Sequence, residues 1–294
     1  MRILILGATG LIGHKLWEKL PQRFDDVFCT IRRDKADLTQ VGIYDSSRVI
    51  DKVDILRFDA LEGLLQAINP DVVINCVGIT KRKREINDIE YAIRVNSLFP
   101  HQLALWVIRN NKRLIHFSTD CVFNGALGNY SEESATTAED TYGKTKALGE
   151  LRYPHTLTIR SSFIGRELEN GSELLEWFLA QNCTAIKGFQ HAMYSGVSTL
   201  FMAKVIGDIV EYHPELHGLY QLATDSPISK YDLLCIAKQA FKKKIEIEIE
   251  NQFININTLV GEKLKAILGY SAPSWIDMMN EIATEKLYDY KEML

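Results

Sequence analysis

Residues 2–13 read Arg-Ile-Leu-Ile-Leu-Gly-Ala-Thr-Gly-Leu-Ile-Gly, an apolar run that passes directly into three glycines spaced three residues apart. The apolar run predicts a buried strand, and the periodic segment that follows predicts a helix. In this arrangement Gly7 permits the tight turn, Gly10 lets the backbone approach a diphosphate, and Gly13 allows close contact between helix and strand. The helix N-terminus favours anionic phosphates. The stretch therefore predicts a dinucleotide-binding loop, with a generic tight turn as the alternative.

The first half of the chain repeats this change from apolar run to helical pattern. The apolar runs predict strands over residues 2–6, 27–31, 55–58, 72–76, 114–118 and 157–160. The periodic segments predict helices over residues 13–20, 61–68, 89–110 and 142–151, and Pro100 predicts a break near Phe99. Strands without polar alternation belong to a parallel sheet that helices cover on both faces. The expected fold is α/β, a doubly wound parallel sheet of the Rossmann type.

The rhythm of the sequence changes after about residue 165. Helical patterns cover residues 171–182, 198–212, 229–241, 258–268 and 275–287, and strand patterns cover residues 218–224 and 245–249. We expect residues 1–165 to form the dinucleotide-binding domain and residues 166–294 to form mainly a smaller α/β substrate-binding lobe. The strand near residues 218–224 is a candidate to return to the first sheet.

Composition limits the class of partner. The chain has 294 residues with 34 Lys and Arg against 38 Asp and Glu, a net charge of −4, whereas nucleic-acid binders usually carry a basic excess. No apolar run approaches the roughly 20 residues of a membrane span, and no secretory leader is recognisable. The five cysteines form no CxxC pair and the seven histidines form no ligand cluster. We expect a cytoplasmic protein without metal, membrane or nucleic-acid partners, for which a homodimer is the common default.

Two arginines indicate which dinucleotide binds. A site for NAD usually presents an acidic residue at the end of the second strand, where it holds the ribose 2′-hydroxyl. This chain presents Arg32 and Arg33 there, and guanidinium groups suit a 2′-phosphate. The sequence therefore favours NADPH. Asp34 leaves NADH open, and two solvated loop charges are the alternative.

A tyrosine and a lysine provide a candidate for acid–base chemistry. Tyr142 and Lys146 are four residues apart and share one face of a predicted helix. An ammonium near a phenol is expected to lower its pKa from about 10, which makes a general acid usable near neutral pH. Thr119 ends the fifth strand, where its hydroxyl can donate a hydrogen bond to a carbonyl. The sequence predicts that these three residues meet.

The motifs around these residues resemble one family. Residues 117–125, Phe-Ser-Thr-Asp-Cys-Val-Phe-Asn-Gly, and residues 142–150, Tyr-Gly-Lys-Thr-Lys-Ala-Leu-Gly-Glu, are similar to segments of the dTDP-4-dehydrorhamnose reductase (RmlD-like) family of extended short-chain dehydrogenase/reductases. The family is also resembled by residues 160–162, which read Arg-Ser-Ser, and by the GxxGxxG spacing of the glycine loop. The resemblance covers residues 1–165 well and runs more loosely to about residue 240. It implies NADPH-dependent reduction of the keto group of a nucleoside-diphosphate-linked 4-keto-6-deoxy sugar, in deoxysugar and cell-surface polysaccharide biosynthesis.

The resemblance also implies roles for individual residues. Thr119 would polarise the keto group, Tyr142 would donate the proton, and Lys146 would tune Tyr142 and hold the nicotinamide ribose. The motifs and the resemblance together place the cofactor against Gly7, Thr9, Gly10, Leu11, Ile12, Gly13, Arg32, Arg33, Asp59, Ala60, Cys76, Val77, Gly78, Ser118, Tyr142 and Lys146. They place the substrate against Thr80, Lys81, Asp120, Cys121, Val122, Phe123, Arg160, Gln190 and Tyr194.

Several interpretations stay open at this point. Residues 81–84 and Arg166 are candidates for the substrate diphosphate, but a solvated charge run is as good an interpretation of the former, and Arg160 could be structural. Sugar 4,6-dehydratases carry Asp-Glu after the threonine, and this chain has Asp120 and Cys121, which disfavours dehydration. An epimerase or epimerase-reductase using Cys121 and His191 as acid and base is an alternative. A further alternative is a regulatory subunit that binds NADP without catalysis.

Overall fold

The computed structural model describes residues 1–168 and 171–285. Twelve strands are found in this part of the chain: β1 Arg2–Leu6, β2 Asp26–Thr30, β3 Val49–Ile50, β4 Val72–Asn75, β5 Arg113–Thr119, β6 Thr156–Ser161, β7 Phe163–Ile164, β8 Ala185–Tyr194, β9 Val197–Ser198, β10 Gly218–Gln221, β11 Ile228–Ser229 and β12 Glu246–Ile256. The α-helices are α1 Gly13–Lys19, α2 Phe58–Ile68, α3 Ile89–Ile93, α4 Phe99–Arg109, α5 Thr141–Leu148, α6 Leu174–Leu179, α7 Thr199–Tyr212, α8 Lys230–Ala240, α9 Glu262–Leu268 and α10 Trp275–Thr284.

Seven parallel strands form the main sheet, in the order β10-β6-β5-β4-β1-β2-β3. Every residue of β4, β5 and β6 is buried, as expected for strands that helices cover on both faces. The chain runs from β1 outward to β3 and then crosses to β4 on the other side of β1. This reversal opens a crevice at the carboxyl ends of the strands, where ligands of such sheets bind. The α/β doubly wound prediction is confirmed.

The third strand differs from the prediction. Residues 55–58 do not form a strand, because the side chain of Asp54 accepts a hydrogen bond from the backbone of Leu56 at 3.0 Å and starts a turn. Phe58 then begins α2. The strand that pairs with β2 is the short segment Val49–Ile50. The Asx turn at Asp54 therefore prevents a strand over residues 55–58, although their apolar character is typical of one.

The long helix predicted over residues 89–110 is interrupted as expected. Arg94–Leu98 forms a π-helical segment between α3 and α4, and Pro100 lies in the first turn of α4. Proline has no N–H, so Pro100 cannot donate the usual i to i−4 hydrogen bond to the carbonyl of Asn96. A Cβ at Gly149 would overlap that carbonyl, so the end of α5 lies directly against the interruption.

The second half of the chain adds two small sheets and further helices. β8 pairs with β12 and β11, and β7 pairs with β9. β10 pairs with β6, so the segment near residues 218–224 does return to the main sheet. One apolar core includes residues of both halves, such as Ile3 from β1, Val205 from α7 and Met278 from α10. The boundary near residue 165 stays a prediction.

The remaining predicted elements are found with changed bounds. The pattern at residues 245–249 lies in β12, which is half-exposed, and α6 is shorter than predicted. The last predicted helix is α10, and residues 286–287 of that prediction lie outside the described residues. Within residues 1–168 and 171–285, no helix combines the length and apolar character needed to cross a membrane.

Candidate active site

A cleft of about 1550 Å³ lies at the carboxyl ends of the main strands and is lined by residues from both halves of the chain. Small-molecule pockets usually measure about 300–1,000 Å³, so this volume has room for two ligands. Most of the predicted site residues line it: Gly7, Thr9, Gly10, Leu11, Ile12, Arg32, Arg33, Cys76, Val77, Gly78, Thr80, Lys81, Ser118, Thr119, Asp120, Cys121, Phe123, Tyr142, Lys146 and Tyr194. Gly13, Asp59, Ala60, Val122, Arg160 and Gln190 are not part of its wall.

The glycine loop joins β1 to α1 at one end of this cleft. Gly7 has a φ of +78°, a conformation that favours glycine. A Cβ at Gly13 would overlap the carbonyl oxygen of Gly7, so close packing of helix on loop requires this glycine. A Cβ at Gly10 would meet no described atom closer than 3.7 Å. The protein itself therefore leaves free space over Gly10, which is the space a diphosphate would need.

The adenosine end of the cleft differs in part from the prediction. Asp59 and Ala60 lie exposed in the first turn of α2, because the chain turns at Asp54 and does not extend as a strand to Asp59. Asp54 and Ile55 line the cleft in their place. The expected contact of Asp59 with adenine is therefore wrong.

Arg32 and Arg33 follow β2 and line the same end of the cleft. The guanidinium of Arg32 donates a hydrogen bond to the hydroxyl of Tyr91 at 3.3 Å. Two guanidinium groups thus stand where the sequence placed them, near the expected position of an adenosine ribose.

The turn after β5 and the start of α5 bring Thr119 and Tyr142 together. Asp140 caps α5 by accepting a hydrogen bond from the backbone of Gly143 at 2.8 Å. A Cβ at Gly143 would overlap the carbonyl oxygen of Cys121, so only glycine lets the helix lie this close to the turn. As a result the hydroxyl of Tyr142 lies near that of Thr119, which favours the phenolate form of Tyr142.

Burial controls the protonation of Tyr142 and Lys146. It raises the pKa of the Tyr142 hydroxyl, and the nearby hydroxyl of Thr119 opposes this rise. The pKa of Tyr142 is therefore raised and not lowered as expected from the sequence, because burial outweighs the groups that favour the phenolate. The ammonium of Lys146 donates a hydrogen bond to the carbonyl of Phe117 at 2.6 Å, and burial lowers the pKa of Lys146 to about 8, which the charge of Glu150 opposes.

Thr119 is fixed by its neighbours. Its hydroxyl oxygen accepts a hydrogen bond from the backbone of Cys121 at 3.1 Å and its proton points to Asp120 at 3.0 Å. Burial raises the pKa of the Asp120 carboxyl, which this hydrogen bond and the charge of Lys230 oppose. The hydroxyl of Thr119 therefore stands at the wall of the cleft in one defined position.

Arg160 was predicted to contact substrate, and this is wrong. Its side chain is fully buried and makes two hydrogen bonds to the carboxylate of Glu150, at 2.9 Å and 2.7 Å. Ser118 donates to the same carboxylate at 2.7 Å, and the guanidinium lies 4.9 Å from the ring centroid of Phe123. The pair joins the end of β6 to the end of α5 beneath the site. Arg160 is structural.

Four further predictions on the substrate side are corrected by position. Val122 is completely buried, and Gln190 lies on β8 outside the cleft wall. His191 is exposed on β8 and also outside the wall, so it cannot serve with Cys121 as an acid–base pair. Arg166 forms an ion pair with Glu176 and is likewise not part of the wall.

The basic segment at residues 81–84 does line the cleft. The ammonium of Lys81 forms an ion pair with Asp140 at 2.6 Å, and Arg82 donates to the backbone carbonyl of Ser172. The segment is therefore part of the site wall, and two of its cations are tied to other parts of the wall.

Sequence reasoning missed two residues of this region. Asn96, in the π-helical segment, bonds to the backbone of Ile79 and donates to the hydroxyl of Thr145 at 3.1 Å, which ties the loop after β4 to α5. In the sequence, Asn96 could have been found as a polar residue beside the predicted helix break. Lys230, the first residue of α8, lines the cleft from the second half. No local signal marked it. Among the described residues no group of three His, Cys, Asp or Glu could hold a metal ion.

Comparisons with known proteins agree with the motifs. The protein named methionine adenosyltransferase 2 subunit beta from Danio rerio is 25% identical over 256 residues, which cover 82% of this chain and 74% of that protein. The dTDP-4-dehydrorhamnose reductase of Aggregatibacter actinomycetemcomitans is 25% identical over 255 residues, which cover 83% of this chain and 81% of that protein.

Solved structures share the fold. A dTDP-4-dehydrorhamnose reductase from Bacillus anthracis in complex with NADP superposes with a TM-score of 0.80 at 18% identity, covering 97% of this chain and 99% of that one. A dTDP-glucose 4,6-dehydratase from the same organism in complex with NAD also reaches 0.80 at 17% identity, covering 100% of both chains. Because enzymes of different chemistry match equally well, this likeness shows the fold alone.

The family assignment comes from the sequence as a whole. The profile of the family described as RmlD substrate binding domain matches residues 1–285. The match extends well beyond residue 165, where the motifs of the first half end, and it confirms the resemblance that those motifs indicated. This chain belongs to the RmlD substrate binding domain family.

Proposed function

We propose that this protein reduces the keto group of a nucleoside-diphosphate-linked 4-keto-6-deoxy sugar with NADPH. One observation carries the proposal: the hydroxyl of Tyr142 stands beside that of Thr119 in the cleft that the glycine loop also lines. Lys146 lies one helical turn further along α5 in the same wall. A proton donor, a hydrogen-bonding hydroxyl and a phosphate-binding loop in one cleft fit a carbonyl reductase.

The residues at the glycine loop fit NADPH. The free space over Gly10 suits the diphosphate, and the N-terminus of α1 favours its charge. Arg32 and Arg33 would hold a 2′-phosphate. When bound, NADPH supplies the hydride that adds to the carbonyl carbon. The names of the relatives support this choice, since the Bacillus anthracis reductase is a complex with NADP.

The protein's own residues handle the proton. Burial keeps Tyr142 protonated at neutral pH, so its hydroxyl can give its proton to the carbonyl oxygen as the alcohol forms. Lys146 is mostly charged at pH 7, because its pKa of about 8 lies above that pH, and its ammonium favours the phenolate that remains. Thr119 lies beside the hydroxyl of Tyr142 and also favours the phenolate form.

The substrate would lie on the far side of Tyr142 from the glycine loop. The hydroxyl oxygen of Thr80 lines the cleft and, although buried, has no hydrogen-bond partner among the described residues. A buried hydroxyl without a partner is costly, and a polar ligand such as a sugar would supply the missing bonds. Lys81 and Arg82 would face its diphosphate.

The test is NADPH oxidation by the purified protein with a panel of dTDP-, UDP- and GDP-linked 4-keto-6-deoxy sugars. We expect turnover with at least one, and a loss of at least about a hundredfold in Tyr142→Phe, the usual scale for losing a general acid. Tyr212→Phe is the matched control, since Tyr212 is 62% exposed and outside the cleft. Full activity in Tyr142→Phe would refute the assignment. NADPH binding without turnover on any substrate would favour the regulatory subunit.

A further inference from the structure

Lys230 is a cation of the cleft wall that the proposed chemistry does not use. It is the first residue of α8 and is partly buried at the wall that the second half contributes. The backbone before it is held firmly, because Ser229 pairs with Met193 of β8 and caps α8 by accepting a hydrogen bond from Asp232 at 3.0 Å. The start of α8 therefore places this side chain in one region of the cleft.

The surroundings of Lys230 contain charges of both signs. Asp120 and Cys121 act on it from the turn after β5, and Lys81 and Arg82 act on it from the loop after β4. Burial lowers its pKa, and Asp120 opposes the shift. An ammonium with these neighbours lies close to the catalytic wall, on the substrate side of Tyr142.

The other cations nearby already have partners, and Lys230 does not. Lys81 is paired with Asp140, and Arg82 donates to the carbonyl of Ser172. For Lys230, no ion pair or hydrogen bond is formed with residues 1–168 or 171–285. Asp120, which attracts it, instead accepts a hydrogen bond from Thr119 at 3.0 Å. The ammonium therefore lines the cleft as a cation without a protein partner, and an incoming anion can form a charge-assisted hydrogen bond with it.

We propose that Lys230 contacts an oxyanion of the bound sugar nucleotide and so helps to decide which substrates bind. This inference rests on the proposed function. The oxyanion is the diphosphate that every nucleotide sugar carries or, if the sugar is a uronate and not the 6-deoxy sugar proposed above, its carboxylate. Either would form charge-assisted hydrogen bonds with the ammonium.

The experiment measures dissociation constants by calorimetry in the presence of NADP⁺, for UDP, UDP-glucose, UDP-glucuronate, dTDP, dTDP-glucose, GDP and GDP-mannose. Lys230→Met removes the charge and keeps the length of the side chain, and Lys230→Arg keeps a cation. Lys238→Met, on the same helix but outside the cleft wall, is the matched control. Thermal melting of each variant accompanies the titrations.

If Lys230 contacts the diphosphate, Lys230→Met should weaken every ligand that binds by about 10- to 100-fold, the scale of one hydrogen bond between charged groups. If it contacts a sugar carboxylate, the loss should be confined to UDP-glucuronate. In both cases Lys230→Arg should recover part of the affinity, and the melting temperature of Lys230→Met should be unchanged or higher, because no ion pair is lost.

Two outcomes count against the inference and are distinct from failure of the proposed function. Wild-type affinity of Lys230→Met for every ligand overturns it, and so does an equal loss in Lys238→Met. In both of these outcomes the wild-type protein still binds the nucleotide ligands, so the proposed function is unaffected. If the wild type binds none of these seven ligands, the proposed function fails and the assignment of Lys230 fails with it.

Discussion

The buried pair of Glu150 and Arg160 allows a test that is independent of any substrate. The two side chains are 7% and 0% exposed and are joined by two hydrogen bonds. Glu150→Gln removes the negative charge with little change of shape, so the guanidinium stays buried without a counter-charge. Breaking a buried pair from one side costs about 3–5 kcal/mol. The amide oxygen of the glutamine can still accept a hydrogen bond, so we expect about 3 kcal/mol.

This loss is large against the usual stability of a folded protein, about 5–15 kcal/mol. For a chain of this size each kcal/mol shifts the melting temperature by about 2–4 °C, so Glu150→Gln should lower it by ~6–12 °C. Urea unfolding and thermal melting measure both quantities. The matched control is Glu133→Gln, which breaks the exposed pair of Glu133 with Lys263 and should change the free energy of unfolding by less than about 1 kcal/mol.

A double variant separates the charge effect from general damage to the fold. In Glu150→Gln/Arg160→Met the buried cation is gone as well, and replacing both partners of a buried pair is often close to neutral. We expect the double variant to be more stable than Glu150→Gln alone. A double variant whose destabilisation equals or exceeds the sum of the two single changes would refute the reasoning, and so would a Glu150→Gln protein as stable as the wild type.

The remaining predictions concern activity. Gly143→Ala should push α5 away from the turn after β5, which should lower kcat at least about a hundredfold while the affinity for NADPH is retained. The control is Gly63→Ala, at an exposed helical position with free space around it. This variant should leave kcat unchanged and raise the free energy of unfolding, measured in urea, by up to about 1 kcal/mol. With a Lys146 pKa of about 8, kcat/KM should fall about tenfold per pH unit above that value, since the cationic form is lost as pH rises; a flat profile to pH 10 would contradict this. Arg32→Ala and Arg33→Ala should raise the KM for NADPH about tenfold or more without raising that for NADH; an unchanged KM for NADPH would leave the arginines as solvated charges.

Local sequence was sufficient where a feature depends on residues close in the chain. The glycine loop needs a strand, three glycines and a helix in succession, and all lie within residues 2–19. The break before Pro100 and the cap of α8 by Ser229 are also local. A local effect caused one error as well, because the turn at Asp54 ended an apolar run that otherwise suits a strand.

Features that depend on packing between distant segments could not be predicted in this way. Arg160 ends a strand at the edge of the site, which suits a substrate contact, and only the packing of α5 shows that Glu150 holds it. Lys230 looks like an ordinary first residue of a capped helix, and its place near Asp120 arises from the way the second half covers the cleft. His191 is the opposite case, because the sequence suggests a loop residue that contacts substrate, whereas His191 lies exposed on strand β8, outside the cleft wall.

Burial of the site also bears on the direction of the reaction. A carbonyl that gains a hydride needs a proton donor, and the raised pKa of Tyr142 keeps the proton on its hydroxyl at neutral pH. Oxidation of the alcohol would need Tyr142 as a phenolate base, which the same burial disfavours. Lys146 is the group that reduces this penalty, but with a pKa of about 8 its charge disappears at the high pH where a phenolate forms. Near pH 7 the site therefore rests in the protonation state from which reduction starts, whereas oxidation first has to remove the proton of Tyr142; the equilibrium between the two is set by the cofactor and the sugar.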